Sequence, residues 1–542
     1  MRIALFAAPL LFITSTLTVA EDTPPSSAGG QLQLGDVEFP VSCTPAAQQQ
    51  FNRAVAILHS FWYEEAIKAF GAVTKIDPDC AMGHWGVAMS YWTPLWNQPT
   101  QAALKAGAAA VSQAQAIGKK TDRERDYIEA IATFYRDYDK LDHRTRSGAY
   151  QQVMEQLYVH YPNDREAAAF YALALDATAL PSDKTYSNQK KAAAILEKIF
   201  VEQPNHPGVA HYLIHSYDSA PLAEHGLPAA ICYAKIAPSV PHALHMPSHI
   251  FTRLGQWQDS IRSNRAASEA GQTYAAQQFG QGVAWAESLH ALDYLTYALL
   301  QLAQDREAKK VVDQITAFRK VAPEAPGAAY ALAAVPARYA IERRDWAQAA
   351  ALSLPSLAFP WDKFPWTSAM VTFSRALGAA RTGDFGAAQA EIDRLGSARD
   401  AASQKDKYWA DQIEVQRQAA VAILDHARGK NEEALDELES AAKLEATMDK
   451  HPVTPSPIVP MRELLGDLLL EMNQPAKALS EYEQSLIKDP NRFHGVYGAA
   501  KAAERSGDAA KAKTYYHQLA ALGSDADSVR PELAEAKAYL QQ

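Results

Sequence analysis

Residues 211–249 carry six of the chain's 16 histidines, and five of them stand at spacings suited to binding a metal ion. His211 and His215 are an i, i+4 pair, and His242, His245 and His249 follow as i, i+3 and i+7. On a helix turning about 100° per residue, the second group keeps its rings within about 60° of one another, as one imidazole stripe. An i, i+4 pair sets its Cβ atoms about 5–6 Å apart, so both rings can reach one ion about 2.1 Å from each nitrogen. Imidazole suits zinc, copper, iron and nickel, and a neutral ring needs no counter-charge when buried. Three or four such rings make a mononuclear site with an open position. Six allow two metals with three ligands each, a pattern associated with dioxygen chemistry at copper or iron.

The elements that must position these rings are helical hairpins. His245 follows His211, and His249 follows His215, by the same 34 residues. That is the period of the tetratricopeptide repeat, in which residues 34 apart hold equivalent places on neighbouring helices. The repeat's punctuation is present from Ala54 through Ala66 and Phe70 to Pro78, and again at Gly466, Ala478, Tyr482 and Pro490. Ala500, Ala512 and Tyr516 continue the last series. Small residues let two helices approach, the aromatic fills the gap, and proline ends the second helix. Gly383-Asp384, Arg344-Asp345-Trp346 and Gly255-Gln256-Trp257 mark further hairpins, the last carrying the histidine stripe. Between them lie degenerate repeats or insertions at 101–146, 181–189, 353–366 and 451–460. The last two are rich in proline and aromatic residues or proline alone, which stiffens a loop able to fold over a groove. No apolar–polar alternation long enough for a sheet is present, so the expected class is all-α, an α/α superhelical solenoid of tetratricopeptide-like hairpins.

Five stretches, HSFWYEEAIKAF with DPDCAMGHWGVAMS, HYLIHSYD, HALHMPSHIFTRLGQW, HALDYLTYALLQ and DPNRFHGVYGAAKAAE, resemble a family of large bacterial tetratricopeptide-repeat proteins, many of them exported. The resemblance spans most of the chain beyond its first residues. It implies a right-handed superhelix whose A helices line a concave face that takes a peptide, protein or small-molecule ligand. It implies no activity.

Taking Gly255 as the fifteenth residue of its repeat puts His242, His245 and His249 at positions 2, 5 and 9, and His211 and His215 at 5 and 9 of the repeat before. These positions face the concave side. Matching Ala308 to Ser260 places His290 at position 2 of the next A helix, with Asp293 at 5, so six imidazoles are expected to converge. Asp218, Asp293, Glu287 and Tyr217 are candidates to orient the rings. His160, His206 and His225 read as hydrogen-bonded packing residues. His59 and His84, beside Trp62 and Trp85, are weaker candidates, and Trp85, Met89 and Trp92 read as core or groove lining. There is no HExxH, no GxSxG and no phosphate loop or dinucleotide fingerprint, so a zinc protease, a serine hydrolase and a nucleotide cofactor are not expected.

At 542 residues, 48% apolar and 21% charged, the chain is too long for one ordinary core and too apolar to be disordered. A net charge of −10 without basic blocks argues against nucleic acid and anionic membrane as partners. The first twenty residues, with one early arginine, an apolar run and a small-residue end at Ala20, read as a signal peptide, and no later run is long enough for a membrane span. A periplasmic or secreted protein is expected, with a flexible lead-in over 21–43, an N-terminal array carrying the histidines over 44–350 and a C-terminal array over 351–542. In an oxidising compartment Cys43 and Cys80, flanking one hairpin, could form a disulfide, leaving Cys232 as a buried thiol. The functional expectation is a solenoid whose His211, His215, His242, His245, His249 and His290 bind a transition metal (copper, iron or zinc) and with it a ligand. A metal-dependent oxidase, oxygenase or hydrolase and a metal-free interaction scaffold are the alternatives.

Overall fold

Small residues placed against aromatic ones decide how these helices pack. Tyr482 is wholly buried between two glycines, and a Cβ on Gly466 or Gly498 would come within 2.7 or 2.2 Å of its ring. Ala54, Ala66 and Phe70 are equally buried, as are Ala478, Ala500 and Ala512, so the residues that mark the repeats are the ones on which neighbouring helices close. The turns between paired helices follow the sequence marks too. Arg344 and Gly383 take left-handed φ values of 54° and 87°. The next residue, Asp345 or Asp384, then caps the following helix through the backbone N–H of Gln348 or Ala387 at 3.0 and 2.9 Å.

The computed structural model describes residues 32–95 and 98–541. Among these, 26 α-helices run from Pro45–His59 to Pro531–Leu540. Helices pack on their chain neighbours and on the next helix but one, as in Ala286–Gln301 against Pro326–Ile341 and Pro326–Ile341 against Pro365–Thr382. That is the solenoid arrangement expected. The exception to all-α is a parallel pair of three-residue strands, Val283–Trp285 and Lys320–Ala322, too short to leave an alternating pattern in the sequence. No described helix is long and apolar enough to cross a membrane.

Two local expectations change. The expected signal peptide lies outside the described residues, but the part of the lead-in over 33–43 is packed rather than loose: Phe39 is buried against Phe51, Trp85 and Tyr127. Cys43 at its end is joined to Cys80 by a disulfide. Residues 101–146 keep the helical class expected of the whole array, forming Gln101–Ala116, Asp122–Tyr135 and the start of His143–His160. Cys232 is half-buried.

The C-terminal hairpins return to the middle of the chain. The Trp257 indole donates to the Asn491 carbonyl at 2.8 Å, and Arg492 donates to the Tyr297 hydroxyl at 3.1 Å. The proline-rich loop 451–460 is thereby brought over the histidines. Arg338, fully buried, pairs with Asp293 at 2.8 Å and donates to the Thr454 hydroxyl at 2.8 Å and the Pro457 carbonyl at 2.9 Å. Pro452 and Val453 of this loop border one cavity with His242, His249 and His290.

Candidate metal centre

Four helices carry the six histidines: Pro207–Tyr217, Pro241–His245, Pro247–Arg253 and Ala286–Gln301. The first three begin on proline, whose missing N–H costs nothing in a first turn. Pro247 interrupts the backbone ladder, but Met246 keeps helical angles of −54° and −36°. The two short helices thus act as one kinked helix, and His242, His245 and His249 stay on one face.

The six rings form two groups of three. His211, His215 and His242 each offer a nitrogen within 4.8 Å of the others, and so do His245, His249 and His290. In the first group the Nε2 of His211 lies 3.0 Å from that of His215 and 3.2 Å from that of His242. In the second, the Nε2 atoms of His245 and His249 are 3.0 Å apart. Ligands about 2.0–2.1 Å from one tetrahedral ion would sit about 3.3 Å from each other, so the groups are already near coordination geometry. The groups abut: the rings of His242 and His245 are 6.2 Å apart, and those of His215 and His249 6.3 Å.

The outer nitrogens decide which inner ones carry protons. His211 Nδ1 donates to the His59 carbonyl at 2.7 Å, and His242 Nδ1 faces the Glu287 carboxylate at 3.1 Å. His249 Nδ1 donates to Asp218 Oδ2 at 2.8 Å and His245 Nδ1 to Asn264 Oδ1 at 2.7 Å. The Asn264 amide is oriented by its own N–H donation to the Ser260 carbonyl at 2.8 Å, which leaves its oxygen for His245. With Nδ1 protonated on both His245 and His249, two bare lone pairs face each other at 3.0 Å. A neutral pair so placed repels, and a cation between them removes the conflict. A proton is a poor cation here. Burial, reinforced by the neighbouring imidazoles, pushes His211, His215, His245 and His290 well below 6.5, and burial lowers His249 despite Asp218.

Of the orienting residues expected from sequence, Asp218 and Glu287 do that work. Asp293 does not, because it is consumed by Arg338, and Tyr217 points its hydroxyl at Glu197, 2.6 Å away. Asp218, which burial alone would push up, is held well below the carboxylate range by Lys450, Arg253 and His249. Several residues escaped the sequence reading. The Tyr294 ring lies 4.8–5.1 Å from the rings of His245, His249 and His290. It stands four residues after His290, so helical spacing carried the signal. Arg253, four after His249, was legible in the same way. Asn264, Lys450, the Phe61 ring stacked 5.7 Å from His215 and the Tyr233 ring stacked 5.1 Å from His211 come from other elements and left no local mark.

A third buried group, His59, Glu166 and His206, has ligand types at ligand distances but the opposite proton pattern. His206 Nδ1 accepts from the Val209 N–H at 3.2 Å, so its Nε2 is the protonated nitrogen and donates to Glu166 at 3.0 Å. His59 Nε2 lies 2.8 Å from the other Glu166 oxygen while its Nδ1 meets the Tyr212 hydroxyl at 2.9 Å. This is a satisfied hydrogen-bond chain. Gly208 leaves room for it, since a Cβ there would lie 2.3 Å from His59 Nδ1. Trp85, Met89 and Trp92 are core residues rather than groove lining.

Three spaces reach the six-histidine cluster. A cavity of about 30 Å³ under Pro452 and Val453 is bordered by His242, His249 and His290, drawn from both groups. A cleft of about 280 Å³ with an aromatic and aliphatic wall touches His242 and Glu287. A third, of about 420 Å³, reaches His215 and Lys450.

No family model and no curated protein matches the sequence. Among solved structures, yeast Tom70 is 12% identical, over 92% of this chain and 95% of its own, with a TM-score of 0.34. Human IFIT1 dimer with PPP-AAAA is 11% identical, over 88% and 91%, at 0.36, and the dimer with m7Gppp-AAAA is 10% identical, over 82% and 90%, at 0.36. Likenesses this distant bear on neither the site nor its chemistry.

Proposed function

We propose that this protein is a helical-hairpin solenoid built around a dinuclear transition-metal centre, with one ion in each histidine triad, and that the centre acts on dioxygen and a small organic molecule admitted by the flanking clefts. The observation that carries this reading is the facing pair of bare Nε2 atoms on His245 and His249, held 3.0 Å apart by acceptors that fix both outer hydrogens. Folding has spent two oriented hydrogen bonds on an arrangement that only a cation makes favourable.

The donor set favours copper. Magnesium and calcium want oxygen ligands, and the triads offer none. Copper in its divalent form stands above zinc and iron in the usual order of affinities, but for two ions this close the charge on the pair decides. Among the described residues no carboxylate bridges the triads, so two dications would face each other without an intervening anion. A pair of monocations repels a quarter as strongly at the same distance, which suits two Cu(I) ions. Held by His211, His215 and His242 on one side and His245, His249 and His290 on the other, two such ions would supply the two electrons that take dioxygen to the peroxide level, the chemistry of an oxidase or oxygenase. Export by the expected signal peptide fits the Cys43–Cys80 disulfide, a cross-link that oxidising compartments preserve.

The test is metal content. Protein purified without chelators, or stripped and reloaded with Cu(I), is expected to hold two ions per chain, and His290→Ala one. Failure of copper, iron and zinc alike to bind after stripping and reloading overturns the reading in favour of a metal-free interaction scaffold. Zinc at two per chain, with copper rejected, leaves a hydrolytic centre instead.

A further inference from the structure

The cleft of about 420 Å³ that reaches His215 is of the size that encloses a small organic molecule. Its wall carries five aspartates, and four of them are already answered. Asp218 is paired with Arg253 and Lys450, Asp449 with Lys184 at 2.9 Å, Asp183 accepts from Thr185 and Ser187, and Asp406 caps a helix through the Tyr408 N–H. Asp176 differs. Its Oδ2 accepts from the Ser216 hydroxyl at 2.8 Å, but its Oδ1 is buried with no hydrogen-bond partner among the described residues. A carboxylate oxygen left so is costly unless a donor arrives. Burial pushes this carboxyl well above its usual range, a penalty on the charged form that a cation bound beside it would offset. Ser216 directly follows His215, and Asp176, Ser216 and His215 line the same cleft. The same cleft is lined by apolar and aromatic side chains, Leu180, Pro181, Tyr186, Tyr408 and Trp409.

We infer that this cleft is the substrate site and that it takes an amine, the ammonium answering Asp176 and an apolar or aromatic body lying against Tyr408 and Trp409. This deepens the metal reading of the same centre and rests on it for the chemistry, while amine recognition is measurable alone. A neutral alcohol would leave Asp176 without its cation, and an anion would add a second negative charge beside it, with Lys450 already paired to Asp218.

The experiment is calorimetric titration of the protein with 2-phenylethylammonium, 2-phenylethanol and 3-phenylpropanoate, in metal-loaded and metal-stripped forms. The amine is expected to bind about tenfold or more tighter than the alcohol, with the carboxylate weakest. Asp176→Asn, which keeps the shape and the Ser216 contact, is expected to erase the preference while leaving metal content unchanged. The three-probe comparison on the unaltered chain needs no variant, so a misfolding Asp176→Asn does not spoil it. Equal binding of amine and alcohol, tighter binding of the carboxylate, or no binding of any probe overturns the inference. Amine preference in a chain that takes up no metal would retire the metal reading and keep the cleft; two bound ions without amine preference would do the reverse.

Discussion

Asn264→Leu is the sharpest probe of the centre because it removes no ligand. Asn264 Oδ1 is the 2.7 Å acceptor that holds the His245 hydrogen on Nδ1 and so presents a bare Nε2 to the metal position. Leucine fills nearly the same volume and accepts nothing. Without that acceptor, His245 is free to carry its hydrogen on Nε2 and donate it to His249 Nε2, 3.0 Å away. The metal-free variant thereby gains a bond worth about 0.5–1.5 kcal/mol that the ion must break. Losing such an orienting partner typically costs roughly 10–100-fold in metal affinity, about 1.4–2.8 kcal/mol. Anaerobic Cu(I) titration against a chromophoric chelator should show two ions in the unaltered protein. The variant should weaken one by that factor and leave the other alone. Asn264→Asp, which keeps an acceptor, should stay within a few-fold of the original. If both affinities survive Asn264→Leu while urea stability falls, Asn264 serves packing and the tautomer argument fails.

Glu166→Gln should leave metal content at two per chain, because the His59–Glu166–His206 group is a hydrogen-bond chain. It should lower urea stability by about 3 kcal/mol, as expected for one partner of a buried charged network; a lost ion would mean that a third metal binds there. Arg338→Met leaves Asp293 as a buried charge without its cation and unties loop 451–460, so a loss of about 3–5 kcal/mol is expected, with much of it recovered in Arg338→Met/Asp293→Leu. Equal stability of the single and double variants would show that the loop contacts, not the charge, dominate. Replacing Cys43 and Cys80 by serine opens a link spanning 37 residues, worth about 4 kcal/mol in the chain-entropy view, and should lower the melting temperature without changing metal content. An unchanged melting temperature would refute that estimate.

What could be read along the chain was whatever is local to one helix or one hairpin. The i, i+3, i+4 and i+7 offsets put His211 with His215 and His242 with His245 and His249, since a helix converts such spacings into a shared face whatever surrounds it. The small and aromatic marks gave the hairpins for the same reason, and the 34-residue register, with the match of Ala308 to Ser260 that added His290, put six rings in one region. It did not sort them. Equivalence by register pairs His211 with His245, yet the structure joins His211 to His242, because register aligns backbones while ring nitrogens sit several bonds further out, where rotamer and helix crossing choose the neighbour. Asp218 and Glu287 were recoverable as nearby acids, whereas Asn264 came from the opposite helix of its hairpin and Lys450 from a loop more than 200 residues away. Asp293, one turn from His290, looked like an orienting acid and instead belongs to Arg338. Proton placement lay furthest from the sequence. It depends on which acceptor meets each Nδ1, a matter of tertiary contacts, and it separates the facing bare nitrogens of His245 and His249 from the His59–Glu166–His206 group, whose nitrogens are already satisfied.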